Sequence, residues 1–149
     1  SKQSKMKILF VCLGNICRSP LAEAILRHIN PNIIVDSAGT SNYHIGCPPD
    51  RRMIETAQSY GIDISNLTAR QFTTEDFNRF DKIFIMDDEN FKNVIALAEN
   101  KTNVEKVHYT ISKQKNVPDP YFGGKEGFIK VYEMLHEACQ RINDEFQER

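Results

Sequence analysis

The sequence has 149 residues and a nearly balanced charge, with 19 basic and 20 acidic side chains. This length is typical of one domain with one sizeable core. The charge balance argues against a nucleic acid or a membrane bound through bulk charge, and no apolar stretch is long enough to span a bilayer. The four cysteines form no dense framework, which predicts reduced thiols in a cytoplasmic protein.

Predicted strands and helices alternate along the chain. The predicted strands are residues 7–12, 32–36, 82–86 and 105–109, and the first three of them contain an apolar run. Helices with an apolar face are predicted over residues 20–29, 50–60, 87–98 and 125–146. Ser19 can cap the first helix with Pro20 at its first position, and Thr73 with Asp76 approximates the capping box of a further short one. Loops are predicted at residues 37–49 and 111–124.

This alternation predicts an α/β fold: a single three-layer domain with a four-stranded parallel sheet and helices on both faces. The domain is expected to cover residues 6–149, after a polar tail of residues 1–5 that is either native or added. Ligands of such sheets bind beyond the carboxyl ends of the strands. The first of these ends lies at Cys12, so the loop that follows it is the first candidate for a functional site.

Residues 12–19 (CLGNICRS) join the first strand to a helix N-terminus. Such a terminus presents unpaired N–H groups and the positive end of a dipole, so it attracts anions. Gly14 and Asn15 tolerate a positive φ, which lets a short loop curl until several N–H groups converge. The candidate phosphate-binding loop between Cys12 and Arg18 consists of Leu13, Gly14, Asn15, Ile16 and Cys17.

Cys12 is the candidate nucleophile, because converging N–H donors favour a thiolate over a thiol. Arg18 adds a permanent positive charge and a planar group that can hold two phosphate oxygens. Ser19 can donate its hydroxyl to the sulfur as well as cap the helix. A thiolate held against a phosphate ester can attack phosphorus and form a phosphocysteine that water then hydrolyses. In the alternative interpretation Cys12 is an ordinary buried cysteine and Arg18 a surface charge.

Five short segments stand out along the chain. They are VCLGNICRSP at residues 11–20, DSAGT at 36–40, ARQ at 69–71, MD at 86–87 and PDPY at 118–121. In this order and spacing they resemble the low-molecular-weight protein tyrosine phosphatases, and the resemblance extends over nearly the whole chain. It implies a cysteine-dependent enzyme that hydrolyses phosphotyrosine and other aryl phosphate monoesters and requires neither a metal nor a cofactor.

Cleavage of the ester needs a proton for the leaving oxygen, and Asp119 is the candidate donor. It lies between Pro118 and Pro120, where the backbone has little freedom. The residues alone leave an ordinary Asp-Pro turn equally open. The resemblance implies that Asp119 is the general acid and, in the second step, the base towards water.

Three aromatic residues are candidates for the rim of the site: Tyr43 in the first long loop, and Tyr121 with Phe122 beside the candidate acid. A deep loop with aromatic walls would select phosphotyrosine, because rings stack on rings. The resemblance implies the same use, although many family members have a second tyrosine where this chain has Phe122. A simpler interpretation is that one or more of these rings only anchor their loops.

Further roles are predicted around the loop. Cys17 can form a reversible disulfide with Cys12 and protect it, as the resemblance supports, or it can be a small filler. Asp87 resembles a family aspartate that holds the loop, although a plain helix N-cap is an equal interpretation. Asn15 with Ser37 is expected to brace the loop. No metal site is expected, because the four histidines show no ligand spacing.

Two other functions share these features. An arsenate reductase on the same fold would need a further cysteine pair near residues 80–90, where this chain has none. A non-catalytic phosphate-binding module would need neither Cys12 nor Asp119. The expected partner is therefore a phosphotyrosine-containing protein or a small aryl phosphate, with phosphate-like oxyanions as inhibitors. The sequence leaves the oligomeric state open.

Overall fold

A computed structural model describes residues 5–147 of the chain. Residues 1–4, which make up most of the predicted tail, and residues 148–149 lie outside the described residues. The strands are β1 (Lys7–Cys12), β2 (Ile34–Gly39), β3 (Lys82–Ile85) and β4 (Val107–Tyr109). The helices are α1 (Arg18–Ile29), α2 (Arg51–Ser59), α3 (Asp76–Arg79), α4 (Asp88–Ile95), α5 (Lys101–Glu105) and α6 (Lys125–Gln147).

The four strands form one parallel sheet in the order β2-β1-β3-β4. Cys12 at the end of β1 lies opposite Gly39 of β2, and Val11 lies opposite Ile85 of β3. The carboxyl ends of the strands therefore meet along one edge. The predicted four-stranded parallel sheet is confirmed, and the segment after its first strand lies at the ligand-binding edge of such a sheet.

Both faces of the sheet are covered, because alternate residues of β1 point into different apolar clusters. Ile8 and Phe10 join the cluster that contains the buried faces of α1 and α6. Leu9 and Val11 join a second cluster with Phe72, Phe77 and Val94 on the opposite face. A strand buried on both faces has a continuous apolar run, as β1 does. The predicted three-layer arrangement is confirmed.

Several predicted boundaries were wrong. Strand β2 continues to Gly39, although residues 37–39 were predicted as loop, because its small residues pair with the end of β1. Helix α4 ends at Ile95, and the unpredicted α5 follows with Asn100 as its N-cap. Helix α3 begins at Asp76 with Glu75 as its N-cap, and Asp76 accepts the N–H of Thr73 at 2.8 Å.

The start of α1 also differs from the prediction. The helix begins at Arg18 with Cys17 at the N-cap position, so Pro20 is its third residue and Ser19 is not a cap. The backbone curls so tightly after β1 that the N–H of Ser19 faces the sulfur of Cys12 at 3.4 Å. Among the described helices, none combines the length and the apolar character needed to cross a membrane.

Candidate active site

Cys12 ends β1 at the floor of a cavity of about 230 Å³. The Cys12 side chain is buried, and its sulfur lies 3.0 Å from Oγ of Ser19 and 3.4 Å from the Ser19 N–H. Both groups can donate a hydrogen bond to a sulfur that carries negative charge, and such bonds are about twice as strong as neutral ones. The predicted contact between Ser19 and Cys12 is therefore present.

The loop after Cys12 is held in a curled shape by the end of β2. Asn15 has a φ of 58°, a left-handed conformation that asparagine tolerates better than most residues. Gly39 of β2 packs against the backbone of this loop, and a Cβ atom at position 39 would be 2.8 Å from the carbonyl oxygen of Leu13 and 3.0 Å from the nitrogen of Asn15. The N–H groups of Thr40 and Ser41 donate to the carbonyls of Cys12 and Leu13, both at 2.9 Å. The close approach thus requires glycine at position 39.

The amide of Asn15 braces the loop from inside. Its Nδ2 donates to Oγ of Ser19 at 2.8 Å and to Oγ of Ser37 at 3.0 Å. Its Oδ1 accepts the backbone N–H of Arg70 at 3.0 Å. Asn15 and Ser37 were predicted to lie together and do so, whereas Arg70 had been noted only as part of the ARQ segment.

Arg18 is 2% exposed and lies beside the cavity. Its Nη1 donates to Oδ2 of Asp87 at 2.6 Å and to the carbonyl of Val117 at 2.9 Å. Burial disfavours the charged guanidinium, but the neighbouring Cys12 sulfur and Asp87 carboxylate outweigh it and raise the pKa of Arg18. Asp87 is also the N-cap of α4 in a full capping box, so both interpretations of Asp87 describe real contacts.

Asp119 faces the same cavity from the loop between β4 and α6. Its Oδ2 lies 3.7 Å from Nη2 of Arg18, and its Oδ1 accepts the N–H of Tyr121 at 3.0 Å. The carboxyl group is partly exposed. The candidate acid and the candidate nucleophile, which are 107 residues apart in the sequence (119 − 12), therefore share one cavity.

The three predicted rim residues line the mouth of this cavity. Tyr43 is 74% exposed and Phe122 is 95% exposed, so their rings can receive an incoming group. The ring of Tyr121 meets that of Phe122 edge-on with centroids 5.0 Å apart, and the guanidinium of Arg52 lies 5.4 Å above it. His44, which the sequence did not single out, also lines the mouth.

Cys17 lines the cavity as well, but it is almost fully buried. Burial, followed by the negative charge of Asp50, raises the pKa of the Cys17 thiol. These effects favour the neutral thiol of Cys17 over its thiolate. Within residues 5–147, the structure contains no group of three or more His, Cys, Asp or Glu side chains arranged to hold a metal ion.

Sequence reasoning missed three residues behind the site: Glu23, Arg70 and Val117. Glu23 accepts the hydroxyl of Ser37 at 2.6 Å, and Val117 contacts Arg18 through its backbone carbonyl. A polar residue on the buried face of α1 was an available signal for Glu23. A contact made through a backbone carbonyl, as at Val117, has no signal in the sequence.

Comparison with known proteins agrees with this geometry. The family model described as low molecular weight phosphotyrosine protein phosphatase matches residues 7–149. The human low molecular weight phosphotyrosine protein phosphatase is 41% identical over 151 residues, covering 94% of this chain and 95% of that protein.

Two solved structures show the same fold. The protein tyrosine phosphatase of Entamoeba histolytica, with Hepes in its active site, is 37% identical with a TM-score of 0.89, covering 97% of this chain and 98% of its own. Vibrio vulnificus Wzb in complex with benzylphosphonate is 33% identical with a TM-score of 0.88, covering 95% and 99%. With the family model matching all but the first six residues, the chain belongs to the low molecular weight phosphotyrosine protein phosphatase family.

Proposed function

We propose that this phosphatase hydrolyses phosphotyrosine and other aryl phosphate monoesters through a phosphocysteine on Cys12. The observation that carries the proposal is the sulfur of Cys12 at the floor of the cavity, 3.0 Å from the hydroxyl of Ser19 and beside the guanidinium of Arg18. A buried sulfur surrounded by donors is a poor structural filler and a suitable thiolate nucleophile.

In the first step the Cys12 thiolate attacks phosphorus, an S–P bond forms and the bond to the aryl oxygen breaks. The loop N–H groups and Arg18 bind the phosphate oxygens, with Arg18 held in place by Asp87 and Val117. Ser19 stabilises the thiolate before attack and the leaving sulfur in the second step. The buried position of Arg18 makes its charge more effective than it would be in water.

Asp119 donates a proton to the leaving aryl oxygen and afterwards removes one from the attacking water. Its place at the mouth of the cavity, on the solvent side of Arg18, suits a leaving group that departs outwards. Water then attacks phosphorus, the S–P bond breaks and inorganic phosphate leaves. The 3.7 Å contact with Arg18 holds the carboxyl group near this position before substrate binds.

The preference for an aryl ester rests on the exposed rings of Tyr43, Tyr121 and Phe122. A phenyl ring entering between them gains stacking contacts that an alkyl phosphate lacks. Benzylphosphonate, bound by the Vibrio vulnificus relative, combines an aryl ring with a phosphonate. Phosphate-like oxyanions are accordingly proposed to inhibit by occupying the loop.

Cys17 is proposed to protect Cys12 from irreversible oxidation in a cytoplasmic environment whose reductants can reverse the resulting disulfide. Peroxide would oxidise the Cys12 thiolate to a sulfenic acid, and the thiol of Cys17 would then displace water to form a disulfide. Both thiols line one cavity and are unpaired, which supports the step. Treatment with peroxide and then dithiothreitol should restore activity in the wild type. In Cys17→Ser excess peroxide should carry the sulfenic acid of Cys12 on to a sulfinic acid, which dithiothreitol does not reduce, so that variant should stay inactive.

The decisive experiment is a trap of the intermediate. The protein is incubated with an aryl phosphate, quenched in acid and digested, and the Cys12 peptide is examined by mass spectrometry for added phosphate. We expect phosphate on Cys12 and none in the Cys12→Ser variant, which should bind phosphate without turnover. Measurable hydrolysis by Cys12→Ser would refute the mechanism.

A further inference from the structure

A continuous chain of hydrogen bonds leads from the sulfur of Cys12 to Glu23 on α1. The links are Cys12 to Ser19 at 3.0 Å, Ser19 to Asn15 at 2.8 Å, Asn15 to Ser37 at 3.0 Å and Ser37 to Glu23 at 2.6 Å. The four residues after Cys12 in this chain are each at most 5% exposed. Water therefore has little access to replace any link.

The direction of the bond at Ser19 decides whether the sulfur receives a proton donor. Nδ2 of Asn15 donates to Oγ of Ser19, which leaves the single hydroxyl proton of Ser19 free. That proton can point to the sulfur at 3.0 Å or to the carbonyl of Ala38 at 3.3 Å. A thiolate attracts it more strongly than a neutral carbonyl does. If the amide of Asn15 were reversed, its oxygen would take this proton from the sulfur.

Two partners hold the amide of Asn15 in the useful orientation. The N–H of Arg70 can only donate, so it selects Oδ1 of Asn15 on one side. On the other side, Oγ of Ser37 must accept from Nδ2, which requires the Ser37 proton to be directed elsewhere. That proton points to Oε1 of Glu23.

We propose that Glu23 is a positioning residue that sets the donor-to-acceptor direction of these hydrogen bonds and thereby keeps the Ser19 hydroxyl donating to the Cys12 thiolate. The inference rests on the proposed role of Cys12 as nucleophile. A carboxylate can only accept, so Ser37 must donate to it. The other oxygen of Glu23 accepts Nη2 of Arg27 at 2.5 Å. Arg27 also can only donate, which keeps the carboxylate in its accepting role.

Burying the charged carboxylate of Glu23 costs free energy, which supports a specific role for its charge. Burial raises the pKa of Glu23, against the opposing effect of its bonds to Ser37 and Arg27. A glutamine of the same shape would avoid this cost if hydrogen bonding alone were needed. A glutamate carboxylate has two oxygens that only accept, whereas a glutamine amide has one accepting oxygen and one donating nitrogen.

The Glu23→Gln variant isolates that property. If its amide nitrogen faces Ser37, the Ser37 proton turns towards Asn15 and favours the reversed amide. If the nitrogen instead faces Arg27, two donors meet at 2.5 Å. The second arrangement keeps Ser37 donating but sets two donors against each other, so the first arrangement is favoured, and it weakens the donor at Cys12. Because a hydrogen bond to a charged group is strong, kcat/KM should fall about 10- to 100-fold.

A second substitution should recover the activity lost in Glu23→Gln, which would not happen if Glu23 only stabilised the fold. In Glu23→Gln/Arg27→Met the amide nitrogen no longer opposes a donor, so the amide oxygen can face Ser37 and restore the direction. We expect most of the lost kcat/KM to return. Arg27→Met alone is the matched control: Glu23 keeps an oxygen that accepts from Ser37, so kcat/KM should fall less than in Glu23→Gln.

The direct measurement is the rate of iodoacetamide alkylation at Cys12 against pH, followed on the Cys12 peptide without substrate. The midpoint should move to higher pH by about one unit in Glu23→Gln, and return in the double variant. An unchanged profile in Glu23→Gln, or no recovery in the double variant, overturns the proposal. If Glu23→Gln does not fold, Ser37→Ala should move the midpoint the same way, and an unchanged profile there also overturns it.

This experiment separates the inference from the proposed function. Alkylation reports the state of the sulfur and needs no turnover. If the phosphate trap on Cys12 failed while the variants still shifted the alkylation profile, the mechanism would be wrong and the positioning role of Glu23 would stand. A positive trap with unshifted profiles would give the opposite result.

Discussion

The carbonyl oxygen of Val117 accepts a 2.9 Å hydrogen bond from Nη1 of Arg18. Val117 is fully buried, and its own N–H donates to the carbonyl of Met86 at 2.8 Å. Asp119 follows two residues later, with Pro118 limiting the freedom of the backbone between them. The backbone of one buried residue thus joins the loop that carries the candidate acid to the loop that carries the candidate nucleophile.

Replacing Asp119 with alanine should slow the hydrolysis of aryl phosphates by about 10²–10⁴-fold, because the leaving oxygen loses its proton donor. The loss should be larger for phenyl phosphate than for p-nitrophenyl phosphate, whose leaving group needs less help. Initial rates with both substrates measure this. Asp144→Ala, at an exposed position of α6, is the control. Equal losses for the two substrates would argue against Asp119 as the acid.

Replacing Asp87 with asparagine should weaken phosphate binding. Asparagine remains a good N-cap for α4, but it removes the charge that Nη1 of Arg18 contacts at 2.6 Å. We expect a loss of about 1.5–3 kcal/mol in the free energy of unfolding, typical of a hydrogen bond to a charged group, partly recovered when phosphate is added. Denaturant titration with and without phosphate measures both.

Asp88→Asn is the matched control for that prediction. The neighbouring carboxylate bonds to Tyr109 and Asn116 rather than to Arg18. Its substitution should leave phosphate affinity close to that of the wild type. Equal effects of the two substitutions would show that the change acts through α4 and not through Arg18.

Replacing Gly39 with alanine should displace the phosphate loop. The new Cβ would lie 2.8 Å from the carbonyl oxygen of Leu13 and 3.0 Å from the nitrogen of Asn15, and neither backbone atom can move alone. Such overpacking typically costs about 1–3 kcal/mol of stability, and phosphate affinity should fall with it. Gly124→Ala, with no atom within 4 Å of the added carbon, should leave phosphate affinity unchanged.

His108 should make stability fall in mild acid. Burial, together with the charge of Lys82 and against that of Glu145, lowers the pKa of His108 below its ordinary value of 6.5. The unfolded chain therefore takes up a proton at a higher pH than the folded chain does. The free energy of unfolding consequently decreases as the pH falls from about 7 through this range.

The His108→Gln variant should remove this contribution and flatten the profile. Urea titrations between pH 7.5 and about 5 measure the slope for each protein. His28→Gln, at an exposed position of α1, is the control and should keep the wild-type slope. A slope unchanged in His108→Gln would assign the acid sensitivity to other groups.

The layout of the sheet could be predicted because its strands differ clearly from the helices between them. After Lys7, the run that forms β1 is apolar and buried on both faces. The end of β2 could not be predicted, because Ser37, Ala38 and Gly39 are typical of loops. They become strand by pairing with the end of β1, and at Gly39 the neighbouring loop leaves no space for a Cβ atom.

Some residues of the candidate site could likewise be predicted from the sequence, and others could not. Cys12, Arg18 and Ser19 lie within eight residues, so their pattern is visible in the sequence. Glu23 lies on α1 among good helix formers, and its link to Ser37 exists only after β2 and α1 have packed together. Val117 contacts Arg18 through its backbone carbonyl, a group that every residue has, so the residue type gives no signal. Contacts of this kind need the tertiary structure.

The fixed conformation of the phosphate loop depends on partners spread over the whole chain. Asn15 bonds to residues 22 and 55 positions away, and Arg18 to groups 69 and 99 positions away. Contacts within the loop alone do not hold Asn15 in its left-handed conformation. During refolding, phosphate binding should therefore return only when the last of these segments has docked. Phosphate affinity can thus serve as a probe of the final step of folding in this chain.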